Sequence, residues 1–132
     1  LLPAIGKSPI VGYGFGKTLT FKSFDPRVTY ILKSGEYTTY AFEWGYLDIV
    51  LKIGILGFVA YLYFIWNIIW PLFKKIKAAK GKDLIYPLWA LSILVVLLAT
   101  HTFTPYLNHP LGIGILILGG LVATIDKDKK LL

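Results

Sequence analysis

From Leu84 to Ile125 the chain runs 42 residues without Asp, Glu, Lys or Arg, and from Ile53 to Phe73 it runs 21. A helix crosses the hydrocarbon layer with about 20 apolar residues at ~1.5 Å each. The longer run therefore has room for two crossings and the shorter for one. The break in the longer run falls at Thr104-Pro105-Tyr106-Leu107-Asn108-His109-Pro110, a turn-rich stretch with two prolines. The expected fold is an all-α membrane protein with transmembrane helices at 46–70, 84–103 and 108–125. Residues 1–45 precede them as an extracytoplasmic loop or cap with short helices. The remaining pieces are a basic loop at 71–83, an outer hairpin at 104–107 and a tail at 126–132. Pro110 suits the first turn of the third helix.

A length of 132 residues allows one domain, and a charged fraction of 16% lies well below the roughly one quarter of soluble domains. Without cysteine there is no disulfide framework, thiolate zinc site or cysteine nucleophile. Methionine is also missing, even at position 1, which points to a piece of a longer protein.

The net charge is +7, but its placement argues against nucleic acid. Of the 14 Lys and Arg, five lie in Lys74–Lys82 and three in Lys127–Lys130, each group abutting an apolar run. By the positive-inside rule these two edges are cytoplasmic, and residues 1–45 with the hairpin face the other side. The expected location is the cytoplasmic (inner) membrane, multi-pass, with the bilayer itself as a partner. Trp66, Trp70 and Tyr86 read as interfacial anchors. Gly119 and Ala123 form a small-xxx-small pair that permits close helix contact. With Gly112, Gly114 and Gly120 they make the last helix smooth, which suits packing against helices outside this chain.

The first 45 residues have a different character. Gly12-Tyr13-Gly14-Phe15-Gly16-Lys17-Thr18 is neither a P-loop, since Val11 stands five before Gly16, nor a dinucleotide fingerprint, since Lys17 stands three after Gly14. The three glycines let the backbone turn tightly or approach a ligand closely. The aromatics between Tyr13 and Trp44 can pack a cap or line a groove. Lys17, Lys22, Arg27 and Lys33 are either solvated or anion-binding; Arg27, the lone arginine, has the fork geometry for phosphate. Asp48 and Lys52 are four apart on one helix face, as an ion pair that orients the helix or as a functional pair. Glu43 just before that helix either compensates its dipole or takes a proton in catalysis. His101 and His109 flank the hairpin as hydrogen-bonded structural residues, and no metal site is expected.

Three stretches together resemble the C-terminal part of the O-antigen ligase and O-antigen polymerase superfamily of membrane glycosyltransferases. Ser8-Pro9-Ile10-Val11-Gly12-Tyr13-Gly14-Phe15-Gly16 is similar to the Pro-x-x-Gly-x-Gly-x-Gly segment that opens the family's large periplasmic loop. Glu43 through Gly57 is similar to its loop exit and next helix, and Thr102 through Pro110 to its last outer hairpin. The resemblance implies transfer of a glycan from a polyprenyl diphosphate carrier to a glycan, lipid or protein acceptor, without metal, nucleotide or other cofactor. It implies further helices of the full-length protein as partners. It makes Glu43, standing where ligases carry histidine, the catalytic base. Lys17, Lys22 and Arg27 would then neutralise the diphosphate, Tyr46 would offer a face to a sugar ring, and Gly12, Gly14, Gly16, Asp48 and Lys52 would shape the site. The alternative is a non-enzymatic transporter or assembly subunit, in which Asp48 and Lys52 line a path or dock a partner.

Overall fold

The structure, a computed structural model, describes residues 1–31, 34–40 and 42–125. Lys33 and the tail at 126–132 lie outside the described residues. The chain is mostly helical. In order it forms α1 (Leu2–Ile5), β1 (Leu19–Lys22), α2 (Pro26–Ile31), β2 (Glu36–Thr39), α3 (Gly45–Ala78), α4 (Ile85–His101) and α5 (Pro110–Thr124). Short 3-10 turns at Gly81–Leu84 and Tyr106–Asn108 precede α4 and α5.

The three long helices pack pairwise against one another. Their common interior takes Ile65, Ile68 and Leu72 from α3, Leu94 and Leu97 from α4, and Leu116 from α5. Gly119 and Ala123 are both buried. A Cβ added at Gly119 would stand 3.0 Å from Leu94 Cδ1 and 3.4 Å from Ile68 Cγ2, so its smoothness serves contacts inside this chain. A soluble amphipathic helix keeps its apolar stripe inward. Here α3 and the α4 segment starting at Gly81 are long and apolar enough to cross a membrane, yet only 28% of each most apolar window is buried. Most of their apolar side chains are exposed or half-buried.

The helix boundaries differ from the sequence pattern in three places. Pro71 predicts the end of the first helix, yet α3 continues through it to Ala78 and so takes in part of the expected 71–83 loop. Packing outweighs the lost backbone donor there. Leu72 is fully buried, and Lys75 Nζ donates to the Val122 carbonyl at 2.9 Å, tying the extension to the end of α5. The second helix, expected over 84–103, is α4 and ends at His101. The third, expected over 108–125, is 15 residues long, about 22 Å. It is apolar but shorter than the ~20 residues of a perpendicular crossing. Pro110 does open it, with His109 Nδ1 accepting from the Leu111 N–H at 3.4 Å.

The cap corrects the all-α expectation. Its short helices are present as α1 and α2, but β1 and β2 form an antiparallel pair with Leu19 opposite Thr39 and Lys22 opposite Glu36. Thr20 and Thr38 hydroxyls meet at 2.8 Å, and Phe21 packs edge-on against Tyr37 at 5.7 Å. Such cross-strand pairs are the unit of sheet stabilisation. Four-residue strands carry too little alternation to be read from sequence.

Candidate functional site

The glycine-rich segment meets α3 where that helix breaks. Gly54 has φ 69° and ψ 179°, a conformation open essentially only to glycine. In an unbroken helix the N–H groups of Ile55 and Leu56 would bond to the carbonyls of Leu51 and Lys52. Instead those four groups are satisfied by residues 9–14. Ile55 N–H donates to Pro9 O at 2.8 Å and Leu56 N–H to Ile10 O at 3.2 Å, while Leu51 O accepts from Tyr13 N–H at 3.0 Å and Lys52 O from Gly14 N–H at 2.7 Å. A helix interrupted within an apolar setting needs this complete exchange of partners. The fit is close enough that Gly12, at φ 68°, has no room for a Cβ: it would lie 2.6 Å from Lys52 O. The backbone that Gly12 approaches is therefore this protein's own. Gly14 and Gly16 have open space around them.

Beneath this inserted segment lies a buried polar cluster. Asp48 is fully buried and Lys52 is 6% exposed. Lys52 Nζ donates to Asp48 Oδ2 at 2.7 Å, and Asn108 Nδ2 donates to the same oxygen at 2.8 Å. Phe15 from the glycine-rich segment covers the ammonium, its ring centroid 5.8 Å away. His101, also fully buried, accepts the Leu107 N–H on Nδ1 at 3.1 Å. That bond puts the proton of a neutral imidazole on Nε2. Tyr46 packs edge-on against His101 at 4.8 Å and donates its hydroxyl to Leu98 O at 2.7 Å. Tyr46 thus faces α4 and holds the helices in place; it does not line the cleft described next. Asp48 and Lys52 form a buried ion pair on one face of α3. His101 is the hydrogen-bonded structural residue expected beside the hairpin; sequence reasoning missed Asn108 as a partner of Asp48, although a polar residue inside a 42-residue uncharged run was the available signal.

A cleft of about 720 Å³ opens in the cap between α1, the strand pair and the start of α3. Glu43 and Asp25 bring carboxylates to it, and Phe21, Tyr37 and Trp44 bring aromatic rings. Glu43 is exposed, immediately before α3. The expected cations do not converge here, and among the described residues no Lys or Arg lines the cleft. Lys17 sits with its ammonium 4.6 Å from the Tyr13 ring centroid. Lys22 stands on β1 opposite Glu36. Arg27 forks onto Asp25, with Nη2 to Oδ2 at 2.8 Å and Nε to Oδ1 at 3.2 Å, and is largely exposed. These hydrogen bonds hold the Asp25 carboxyl below its ordinary value. A wall of aromatic faces with a carboxylate at its rim suits a polyhydroxylated ligand: rings stack on its C–H faces, and the carboxylate accepts from its hydroxyls.

No protein-family model matches this chain, and no curated protein or solved structure matches it.

Proposed function

We propose that this chain is the C-terminal part of a polytopic membrane glycosyltransferase. It polymerises or ligates glycans carried on a polyprenyl diphosphate, at the outer face of the cytoplasmic membrane. The carrying observation is Glu43 on the rim of a cleft walled by Phe21, Tyr37 and Trp44, directly before the first membrane helix. Three further features support the setting. The unburied apolar surfaces of α3 and α4 suit lipid, and in this reading α5, apolar but 15 residues long, makes a third crossing where the bilayer thins. The lysine-rich end of α3 and the cap lie at opposite ends of that helix. The ordered motifs resemble those of the O-antigen ligase and polymerase superfamily.

In this reading Glu43 accepts the proton of the acceptor hydroxyl as its oxygen bonds to the anomeric carbon. The bond from that carbon to the diphosphate breaks, and polyprenyl diphosphate leaves with the electron pair. Lys17, Lys22 and Arg27 stand away from the cleft and Arg27 is already paired with Asp25, so in this reading the charge of the leaving diphosphate is met by cations on helices of the longer chain. The alternative is a transporter or assembly subunit in which Asp48 and Lys52 line a path or dock a partner; their mutual pairing and burial favour the glycosyltransferase reading over it.

The test is carrier-linked glycan transfer by the full-length protein carrying Glu43→Gln. General-base loss costs about 100-fold to 10,000-fold in rate, with membrane insertion and thermal stability unchanged. Full activity in that variant refutes the assignment.

A further inference from the structure

One exposed side of α3 carries a continuous aromatic ladder that ends in two ammonium groups. Trp66 and Trp70 stack at 5.5 Å, and Trp70 and Phe73 at 6.3 Å, with ring planes within 19° and 23°. Lys74 Nζ lies 5.3 Å from the Trp70 ring centroid, and Lys77 Nζ 4.6 Å from that of Phe73. Spacings of three and four residues put all five on one helix face. The continuation of α3 through Pro71 makes this a rigid ridge, where a loop would have left the lysines loosely placed. Lys75 faces the other way and caps the Val122 carbonyl at the end of α5.

We infer that this ridge binds an anionic phospholipid. An acyl chain lies along Trp66, Trp70 and Phe73, and the phosphate sits between the ammonium groups of Lys74 and Lys77. An apolar lane ending in two cations is complementary to an amphiphile with a negative head. A zwitterionic head brings its own cation to the same place. An acidic peptide would use the ammonium pair and leave the aromatic lane uncovered. Holding the exposed ammonium groups against ring faces keeps them at the headgroup level and open to an anion. The inference rests on the membrane reading proposed above.

The test uses the chain with Trp44→Phe and Trp89→Phe, so that Trp66 and Trp70 report. It is reconstituted in phosphatidylcholine vesicles containing one fifth phosphatidylglycerol, with bromine on the acyl chains of one lipid or the other. Each lysine near an anionic surface contributes about fivefold in association. Quenching per molecule by brominated phosphatidylglycerol should therefore exceed that by brominated phosphatidylcholine about fivefold or more. The preference should fall to near one in K74Q/K77Q and persist in K80Q/K82Q. Equal quenching by both lipids in the parent, or an equal loss in K80Q/K82Q, overturns the inference while leaving the membrane reading intact. Tryptophans unquenched by either lipid, with protein left outside the vesicles, overturn the membrane reading and the inference together.

Discussion

Replacing Gly54 by alanine should free the glycine-rich segment from α3. Alanine at φ 69°, ψ 179° is strained by about 1–3 kcal/mol. Its Cβ would also overlap the Ile10 carbonyl oxygen and stand 2.6 Å from Val11 N. The backbones must separate, which releases four hydrogen bonds between residues 9–14 and the two halves of α3, each contributing about 0.5–1.5 kcal/mol. The helix can then recover by bonding Ile55 and Leu56 to Leu51 and Lys52, leaving the Tyr13 and Gly14 amides to water. The hydrogen bonds are lost on opening in parent and variant alike, so the shift toward the open form is the strain relieved, about 1–3 kcal/mol or roughly 5-fold to 150-fold in an equilibrium, with the Cβ overlap adding to it. Hydrogen exchange on the detergent-solubilised protein reads this directly. The Tyr13 and Gly14 amides should exchange roughly 5-fold to 150-fold faster or more in Gly54→Ala while Ile55 and Leu56 stay protected. Gly16→Ala, in open space, should change neither pair. Unchanged protection of Tyr13 and Gly14 in Gly54→Ala would refute the interlock.

Two further outcomes follow from the polar contacts. Asp48→Ala leaves the Lys52 ammonium buried without its partner and should cost about 3–5 kcal/mol, while Asp48→Leu with Lys52→Met should cost markedly less; denaturant unfolding of the three proteins measures the difference, and equal costs would dismiss the ion pair as the reason. Asp25, held below its ordinary 3.8 by hydrogen bonds from Arg27, stabilises the cap at pH values above that figure and loses the effect as pH falls through its lowered value. Carboxyl-carbon NMR titration should place its midpoint below 3.8 and move it upward in Arg27→Gln, which removes the guanidinium but keeps the backbone N–H that also donates to Asp25; a midpoint that ignores the arginine would contradict the fork.

The legible parts of this protein are those governed by local chemistry. The uncharged runs locate α3, α4 and α5, Pro110 marks the start of the last, and the four-residue spacing of Asp48 and Lys52 predicts their contact. Gly119 and Ala123 announce a close helix approach. The illegible parts depend on residues far apart in the chain. Pro71 reads as a terminus because the burial of Leu72 and the reach of Lys75 to α5 are tertiary facts. Tyr46 reads as a sugar platform until α4 supplies the carbonyl that takes its hydroxyl.

Composition and spacing alone determined that this chain builds long apolar helices with cations gathered at their edges, because hydropathy and charge act residue by residue. Only the tertiary structure decided what the glycines are for. A broken helix leaves four backbone groups in need of partners, and only a contact across some forty residues of sequence shows that Pro9 to Gly14 supply them. The same fold buries the Asp48–Lys52 pair beside Asn108 and leaves Glu43, with its aromatic neighbours, on the open cleft.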